Sequence, residues 1–133
     1  MNAAGVNLRE NWDSISIESW NSTIQLNLSI PFFLAQKCVA EMIKSGWGRI
    51  INIASLQSYR AFPNGIAYGA SKGGIAQVTR GMAEAWSKYG VTANAIAPGF
   101  FRTNLTEPVF RDQEKAEHNA RMTAVGRNEK CLI

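Results

Sequence analysis

The sequence predicts an α/β fold in which helices alternate with the strands of a parallel sheet. Two short runs rich in β-branched residues, 49–54 and 91–97, are typical of strands buried in such a sheet. The stretch between them, residues 66–89, repeats its apolar side chains at helical spacing. Because neighbouring parallel strands need a long connection, which is usually a helix, the three segments predict one crossover unit.

Another long helix is predicted ahead of the first strand. Ser16 is a suitable N-cap, and apolar residues recur behind it at helical spacing. Pro31 removes one hydrogen bond from the helical ladder, so we expect a kink or break just before it, near Asn27. The helix is expected to end at Gly46, because glycine readily adopts the backbone conformation that stops a helix.

The first half of the helix at 66–89 is unusually slim, because it contains Gly69, Gly73 and Gly74. A glycine costs about 1 kcal/mol relative to alanine inside a helix. We therefore expect a partner helix or a ligand to approach this half closely. Residues 100–126 are mixed and polar, and they predict either a mobile cover over a site or a plain surface segment.

The composition argues against several classes of function. The net charge of +4 is spread along 133 residues, without the clustered basic and aromatic side chains that nucleic-acid binding uses. Cys38 and Cys131 lie far apart and His118 is the one histidine, so neither a disulfide framework nor a metal site is expected. No apolar run is long enough to span a bilayer and no secretory signal is recognisable, so we expect residence in the cytoplasm.

Residues suited to ligand binding fall where the predicted strands end. Residues 2–5, Asn-Ala-Ala-Gly, indicate a turn with close backbone approach. Ser55 follows the first predicted strand, and Pro98 and Gly99 follow the second. Ligands of open parallel sheets bind at the carboxyl ends of strands, so these positions predict a site.

Tyr68 and Lys72 are the residues most suggestive of catalysis. A step of four residues places both side chains on one face of the predicted helix. A tyrosine is a poor base at neutral pH because its pKa is about 10, and a neighbouring ammonium lowers that pKa by about 1–3 units. With Ser55, or Ser58 as a weaker alternative, the pair suits proton transfer to or from an alcohol or carbonyl oxygen.

These residues together resemble the C-terminal half of a short-chain dehydrogenase/reductase. The matching positions are Asn2–Gly5, Asn27, Ser55, Tyr68, Lys72, Pro98, Gly99 and Thr103. A Tyr-x-x-x-Lys motif alone occurs by chance, but a serine thirteen residues before the tyrosine and a Pro-Gly after the next strand make the resemblance specific. It implies a partial Rossmann-type doubly wound parallel sheet of about three strands.

The resemblance implies a role for each catalytic position. Tyr68 would exchange a proton with the substrate oxygen, and Ser55 would hold that oxygen and stabilise its developing charge. Lys72 would lower the pKa of Tyr68 and hold the nicotinamide ribose. Asn27 would anchor a water relay at the helix break.

The resemblance also implies an NAD or NADP cofactor, which supplies the hydride. Positions that would line its nicotinamide side are Pro98, Gly99, Phe101 and Thr103. The segment from Asn2 to Gly5 would run past the adenosine end of the cofactor. Tyr68 and Lys72 would contact the cofactor as well as the substrate.

Two elements of the family are not found in this sequence. Members begin with a strand and a glycine-rich turn that holds the cofactor diphosphate, and they end with a further strand. We therefore expect residues 1–133 to form a single partial domain that lacks the first mononucleotide-binding half and the last strand. The chain by itself is expected to bind the cofactor weakly and to have no turnover.

Within the family, the residues around Ser55 and Pro98 are similar to those of sugar-acid dehydrogenases, whose substrates include gluconate. The 3-oxoacyl-carrier-protein reductases are the nearest alternative. Arg60 or Arg102 could meet a substrate carboxylate.

A different class of function is a non-catalytic module that associates through its long helices. The resemblance places the subunit contact of the intact enzyme, a homodimer or homotetramer, on the same helices. A serine hydrolase built on Ser55 is disfavoured, because no Gly-x-Ser-x-Gly elbow surrounds it.

Overall fold

The computed structural model describes residues 1–103 and 105–128, so Cys131 lies outside the described residues. The chain forms two compact units, Met1–Ala97 and Pro98–Ile133. The helices are α1 (Ile17–Ile24), α2 (Ile30–Lys44), α3 (Ile66–Trp86), α4 (Glu107–Phe110) and α5 (Gln113–Arg121), and the strands are β1 (Gly48–Ile53) and β2 (Val91–Ile96).

The predicted break in the first long helix is a π-helical turn, Gln25–Ser29, that joins α1 to α2. The backbone N–H of Ile30 donates to the carbonyl of Gln25, five residues back, in place of the usual four. Pro31 then falls in the first turn of α2, where a missing N–H costs least. The expected break near Asn27 is confirmed.

The ends of these helices follow the expected local chemistry. Ser16 and Ser19 form a capping box at the start of α1: Ser19 N donates to Ser16 Oγ at 3.0 Å, and Ser16 N donates to Ser19 Oγ at 3.1 Å. Gly46 follows α2 with a φ of +66°, and Gly90 follows α3 and a short 3₁₀ turn with a φ of +81°. Both glycines adopt the left-handed conformation that ends a helix.

The sheet of the first unit is parallel, as predicted. β1 pairs with β2 in a register that runs from Gly48 opposite Val91 to Ile53 opposite Ile96. The expected third strand is reduced to a single bridge between Asn2 and Asn52. Asn2 N donates to Ile51 O at 2.8 Å, and Asn2 O accepts from Ile53 N at 3.2 Å. The α/β class is confirmed, with two regular strands in the described residues and Asn2 bridged to β1.

The core of the first unit lies between the sheet and the long helices. Its buried apolar members are Ala35, Val39, Ile50, Met82, Val91 and Ala93. The close approach expected along α3 is found at Gly74, where a Cβ atom would lie 2.9 Å from Leu28 Cδ2 of the π turn. At Gly73 a Cβ atom would meet nothing within 4 Å.

The second unit contains the short helices α4 and α5. Asp112 caps α5, because its side chain accepts a hydrogen bond from Lys115 N at 3.1 Å. A role for this segment as a cover stays a prediction. Among all the described helices, none combines the length and apolar character needed to cross a membrane.

Candidate active site

Tyr68 and Lys72 lie in the first two turns of α3, one above the other. The Lys72 side chain is almost completely buried, and its Nζ donates to Ile53 O, at the end of β1, at 2.6 Å. The same Nζ lies 5.6 Å from the centre of the Tyr68 ring. The helix and the strand end therefore hold a tyrosine and a buried lysine side by side, as the four-residue spacing predicts.

Ser55 reaches the same place from the loop after β1. It caps a 3₁₀ turn, Leu56–Ser58, in which Ser55 Oγ accepts from Gln57 N at 3.2 Å. Ser58 Oγ accepts from Ser55 N at 3.3 Å and donates to Lys72 O at 2.7 Å. Ser58, the weaker alternative to Ser55, thus joins the serine loop to the helix that carries Lys72.

Asn27 is buried in the π turn, and its side-chain amide is fully used. Oδ1 accepts from Val6 N at 2.9 Å, while Nδ2 donates to Val6 O at 2.9 Å and to Ser71 Oγ at 3.0 Å. Ser71 Oγ in turn donates to Tyr68 O at 2.7 Å. The amide therefore ties the segment after Gly5 to the helix that carries Tyr68. Its expected water relay stays a prediction.

The backbone at Gly5 comes very close to these groups. A Cβ atom at Gly5 would lie 3.2 Å from Asn27 Oδ1 and 3.7 Å from Lys72 Nζ. A side chain here would occupy the space in front of the lysine. The close backbone approach that residues 2–5 predict is present, whereas the predicted turn is wrong, because Asn2 bridges to Asn52 and no turn forms at these residues.

The side chain of Asn2 is hydrogen-bonded to the neighbouring strand β1. Its Nδ2 donates to Asn52 Oδ1 at 2.8 Å, and Asn52 Nδ2 donates to Thr79 Oγ1 of α3 at 2.9 Å. Asn52 is fully buried, and it was not among the predicted site residues. A lone polar side chain inside an apolar strand was the available signal, because a buried amide needs partners. Ser71, which lies between Tyr68 and Lys72 in the sequence, was also not predicted as a site residue.

Burial dominates the electrostatics of the site. It lowers the pKa of Lys72 from 10.5 to about 8. It raises the pKa of the Tyr68 phenol above its ordinary 10.0, although hydrogen bonding to the Ser55 side chain and the positive charge of Arg9 act in the opposite direction. The expectation that Lys72 leaves Tyr68 with a lowered pKa is wrong for this structure, because losing water disfavours the phenolate more than the neighbouring groups favour it.

The remaining predicted cofactor residues belong to the second unit. They are Pro98, Gly99, Phe101 and Thr103. Thr103 N donates to Thr106 Oγ1 at 2.9 Å, and Thr106 Oγ1 also donates to Phe101 O. Their contact with a cofactor stays a prediction.

The polar groups gathered in the first unit are able to form hydrogen bonds with hydroxyl groups such as those of a cofactor ribose. A phenol, an ammonium and a hydroxyl meet at the carboxyl end of β1, where the backbone of Gly5 lies close to Lys72. Within the described residues, no group of three or more His, Cys, Asp or Glu side chains could hold a metal ion.

The sequence of this chain is similar to a known protein family and to individual dehydrogenases. The family described as short chain dehydrogenase matches residues 1–114. The chain is 35% identical over 127 residues to gluconate 5-dehydrogenase of Gluconobacter oxydans. This match covers 96% of this chain and 50% of that protein. It is 37% identical over 127 residues to 2-dehydro-3-deoxy-D-gluconate 5-dehydrogenase of Bacillus subtilis, with the same coverage of 96% and 50%.

A solved structure is similar over nearly the whole chain. It is the crystal structure of a gluconate 5-dehydrogenase from Burkholderia cenocepacia in complex with NADP and tartrate. The TM-score is 0.92 at 36% sequence identity, and the match covers 97% of this chain and 51% of that one. The chain thus spans about half the length of the relatives it matches.

Proposed function

The chain belongs to the short-chain dehydrogenase family, and from that premise we propose that it is the catalytic part of an oxidoreductase that interconverts a secondary alcohol and a ketone. The observation that carries the proposal is the placement of Tyr68 beside the buried Lys72, with Ser55, at the carboxyl end of β1. These are the donors and acceptors that proton transfer to a substrate oxygen requires.

In the proposed reaction Tyr68 exchanges the proton. Its raised pKa keeps the phenol protonated at neutral pH, so Tyr68 donates to the substrate oxygen when a ketone is reduced. The Ser55 hydroxyl holds that oxygen and stabilises the charge that develops on it. Lys72, with a pKa of about 8, gains and loses a proton near neutral pH and can restore the proton of Tyr68.

We propose NAD or NADP as the cofactor. When bound, the nicotinamide ring donates or accepts the hydride. Tyr68 and Lys72 would hold its ribose, because the buried ammonium lies in front of the small residue Gly5. The other proposed contacts are Asn2, Pro98, Gly99, Phe101 and Thr103.

The proposed substrate is a sugar acid such as gluconate. The names of the two relatives support this choice, and so does the tartrate in the Burkholderia complex, which is also a hydroxy acid. The alternative is a 3-oxoacyl-carrier-protein reductase.

The test is turnover by the protein expressed from its full reading frame. Reduction of 5-ketogluconate and of an acetoacetyl thioester is followed by the loss of reduced nicotinamide. We expect turnover with the sugar acid and its loss in Tyr68→Phe, whereas Tyr59→Phe, at an exposed tyrosine, keeps it. Preference for the thioester would establish the alternative substrate, and full activity of Tyr68→Phe would refute the proposed mechanism.

We also propose that the protein forms a homodimer or homotetramer through its long helices. Three large apolar side chains of α2 support this: Ile30, Phe33 and Leu34 are 44%, 55% and 53% exposed. A second subunit would remove this apolar area from water.

Residues 1–133 are proposed to belong to one partial Rossmann-type domain. The family match supports this, because it runs from residue 1 to residue 114 and so includes parts of both compact units. We propose that the 133-residue chain alone binds NADP weakly and has no turnover, since its sequence contains no glycine-rich diphosphate turn. Calorimetric titration of the purified chain with NADP tests this, and tight binding contradicts it.

A further inference from the structure

The two arginines that the sequence offered for a substrate carboxylate each lie over an aromatic ring. The Arg60 guanidinium lies 4.9 Å from the centre of the Phe62 ring. The Arg102 guanidinium lies 5.4 Å from the centre of the Phe110 ring and 4.0 Å from Glu107. A role for either arginine in binding a carboxylate stays a prediction.

A narrow cleft borders Tyr68 in the first unit. It lies between the segment before α1, the last turn of α1 and the first turn of α3, and Glu10, Thr23 and Tyr68 are among the residues that line it. The space inside it measures about 10 Å³. One water-sized group needs about 10–15 Å³, so the cleft accommodates a single hydroxyl and is too small for a carboxylate.

Thr23 lines this cleft with a hydroxyl that has no partner of its own. The residue is 1% exposed, and its Oγ1 has no hydrogen-bond partner within the described residues. Two other deeply buried hydroxyls of the first unit, those of Ser71 and Thr79, are each bonded to two groups. Because a buried hydroxyl without a partner costs free energy, Thr23 indicates an oxygen that arrives with a ligand.

We propose that Thr23 binds a hydroxyl group of the substrate, on a carbon next to the one that reacts at Tyr68. This inference rests on the proposed function and names a residue that selects polyhydroxy substrates. The cleft holds one oxygen group and Tyr68 lines it, so the group that enters is bonded close to the reacting carbon. A hydroxyl can donate to and accept from the threonine hydroxyl, whereas a hydrogen or methyl in its place leaves Thr23 without a partner.

Two further polar side chains line the same cleft. Glu10 is half-buried and Asn64 is exposed, and each carries an oxygen that accepts hydrogen bonds from hydroxyl groups. The cleft itself holds only one oxygen group, so the rest of a sugar acid would lie outside it, where such acceptors suit its remaining hydroxyls. The polar lining therefore fits a polyhydroxy substrate better than a simple alcohol.

The test uses the protein expressed from its full reading frame with a reduced nicotinamide cofactor. The ketones compared are 5-ketogluconate and the analogues that lack the hydroxyl on one or the other carbon beside the ketone. In the wild type we expect kcat/KM to fall roughly tenfold for one analogue, because the Thr23 hydroxyl then stays without a partner.

Thr23→Val keeps the shape of the side chain and removes its hydroxyl. In this variant the preference for 5-ketogluconate over that analogue should shrink to about twofold or less, because neither ketone then gains a hydrogen bond in the cleft. Ser22→Ala removes an exposed hydroxyl at the preceding position of α1 and should keep the wild-type preference.

Thermal unfolding separates this role from a structural one. Thr23→Val should unfold at the same or a higher temperature, because an unpartnered buried hydroxyl does not stabilise the fold. Thr79→Val makes the same change where the hydroxyl accepts from Asn52 Nδ2 at 2.9 Å and donates to Ile75 O at 2.6 Å, and it should unfold at a lower temperature. An equal fall in Thr23→Val would show that a buried water already serves Thr23, and it would overturn the proposal.

Equal kcat/KM of the wild type for all the ketones, or an unchanged preference in Thr23→Val, would also overturn the hydroxyl site. The outcome is separable from that of the proposed function. Turnover that needs Tyr68, with the wild-type preference kept in Thr23→Val, would remove the site and keep the function.

Calorimetric titration with gluconate in the presence of NADP examines the site when there is no turnover. Weaker binding of the gluconate analogue that lacks one of the same hydroxyls, with the difference lost in Thr23→Val, would keep the site and remove the function. Absence of gluconate binding would remove the site.

Discussion

Ser58 Oγ donates a hydrogen bond of 2.7 Å to the backbone carbonyl of Lys72. The same hydroxyl accepts from Ser55 N, so a single small side chain holds the loop of the proposed catalytic serine against the helix of the lysine. This relationship makes the site depend on residues outside the Ser-Tyr-Lys set.

Replacing Ser58 with alanine is expected to destabilise the fold by about 1–2 kcal/mol, because a half-buried N–H and a carbonyl lose their partner. Urea unfolding measures the change. Ser14→Ala is the control, since the Ser14 hydroxyl makes one exposed bond to Asn11 O. Equal losses for the two variants would contradict a linking role for Ser58.

Asn27→Ala is expected to cost about 2–4 kcal/mol, because it leaves Val6 N, Val6 O and Ser71 Oγ without the Asn27 amide. Asn21→Ala, at an exposed position of α1, should cost less than about 0.5 kcal/mol. Chemical unfolding of both variants tests the prediction. A cost below 1 kcal/mol for Asn27→Ala would mean that water replaces the amide.

Stability should rise with pH between about 8 and 10. Lys72 has a pKa of about 8 when folded against 10.5 when exposed, so the unfolded chain binds more protons in this window and raising the pH favours the folded state. The free energy of unfolding should gain at most about 2 kcal/mol over this pH window, since a shift of one pKa unit corresponds to about 1.4 kcal/mol. Above pH 10 the raised pKa of Tyr68 reverses the trend, because its phenol ionises first in the unfolded chain.

Urea unfolding at several pH values measures this gain. In Lys72→Met the rise should disappear, whereas Lys37→Met, at an exposed position of α2, should retain it. A rise of the same size in both variants would assign the pH dependence to other groups.

Gly73 and Gly74 provide a matched pair of substitutions in α3. Gly74→Ala places a Cβ atom 2.9 Å from Leu28 Cδ2 and is expected to destabilise by about 1–2 kcal/mol. Gly73→Ala meets nothing within 4 Å and is expected to stabilise by up to about 1 kcal/mol through helix propensity. Thermal unfolding ranks the two, and the reverse order would show that Leu28 moves aside readily.

Phe33→Glu is expected to weaken self-association, because it puts a charge on the exposed apolar face of α2. Sedimentation velocity over a range of concentrations measures the oligomeric state. Gln36→Glu adds the same charge at another exposed position of the helix and should have a smaller effect. A monomeric wild type would remove the proposed contact.

Local chemistry explains why much of the fold was predictable. The β-branched runs, the Ser16 cap and the stops at Gly46 and Gly90 each act within a few residues. Pro31 fixed the place of the helix break in the same way, because it lacks an N–H. The number of strands was harder to predict from the sequence. Asn2 contributes a single bridge, and the extent of this pairing depends on the path of the chain around it.

The amino-acid sequence by itself determined the α/β class, the helix break and the spacing that brings Ser55, Tyr68 and Lys72 together. Only the tertiary structure decided how their charges behave and what holds them. The pKa of Tyr68 rises because burial outweighs its neighbours, and the Asn27 amide bonds to Val6, twenty-one residues away. Burial and long-range hydrogen bonds arise only when distant segments pack together, so no local pattern encodes them.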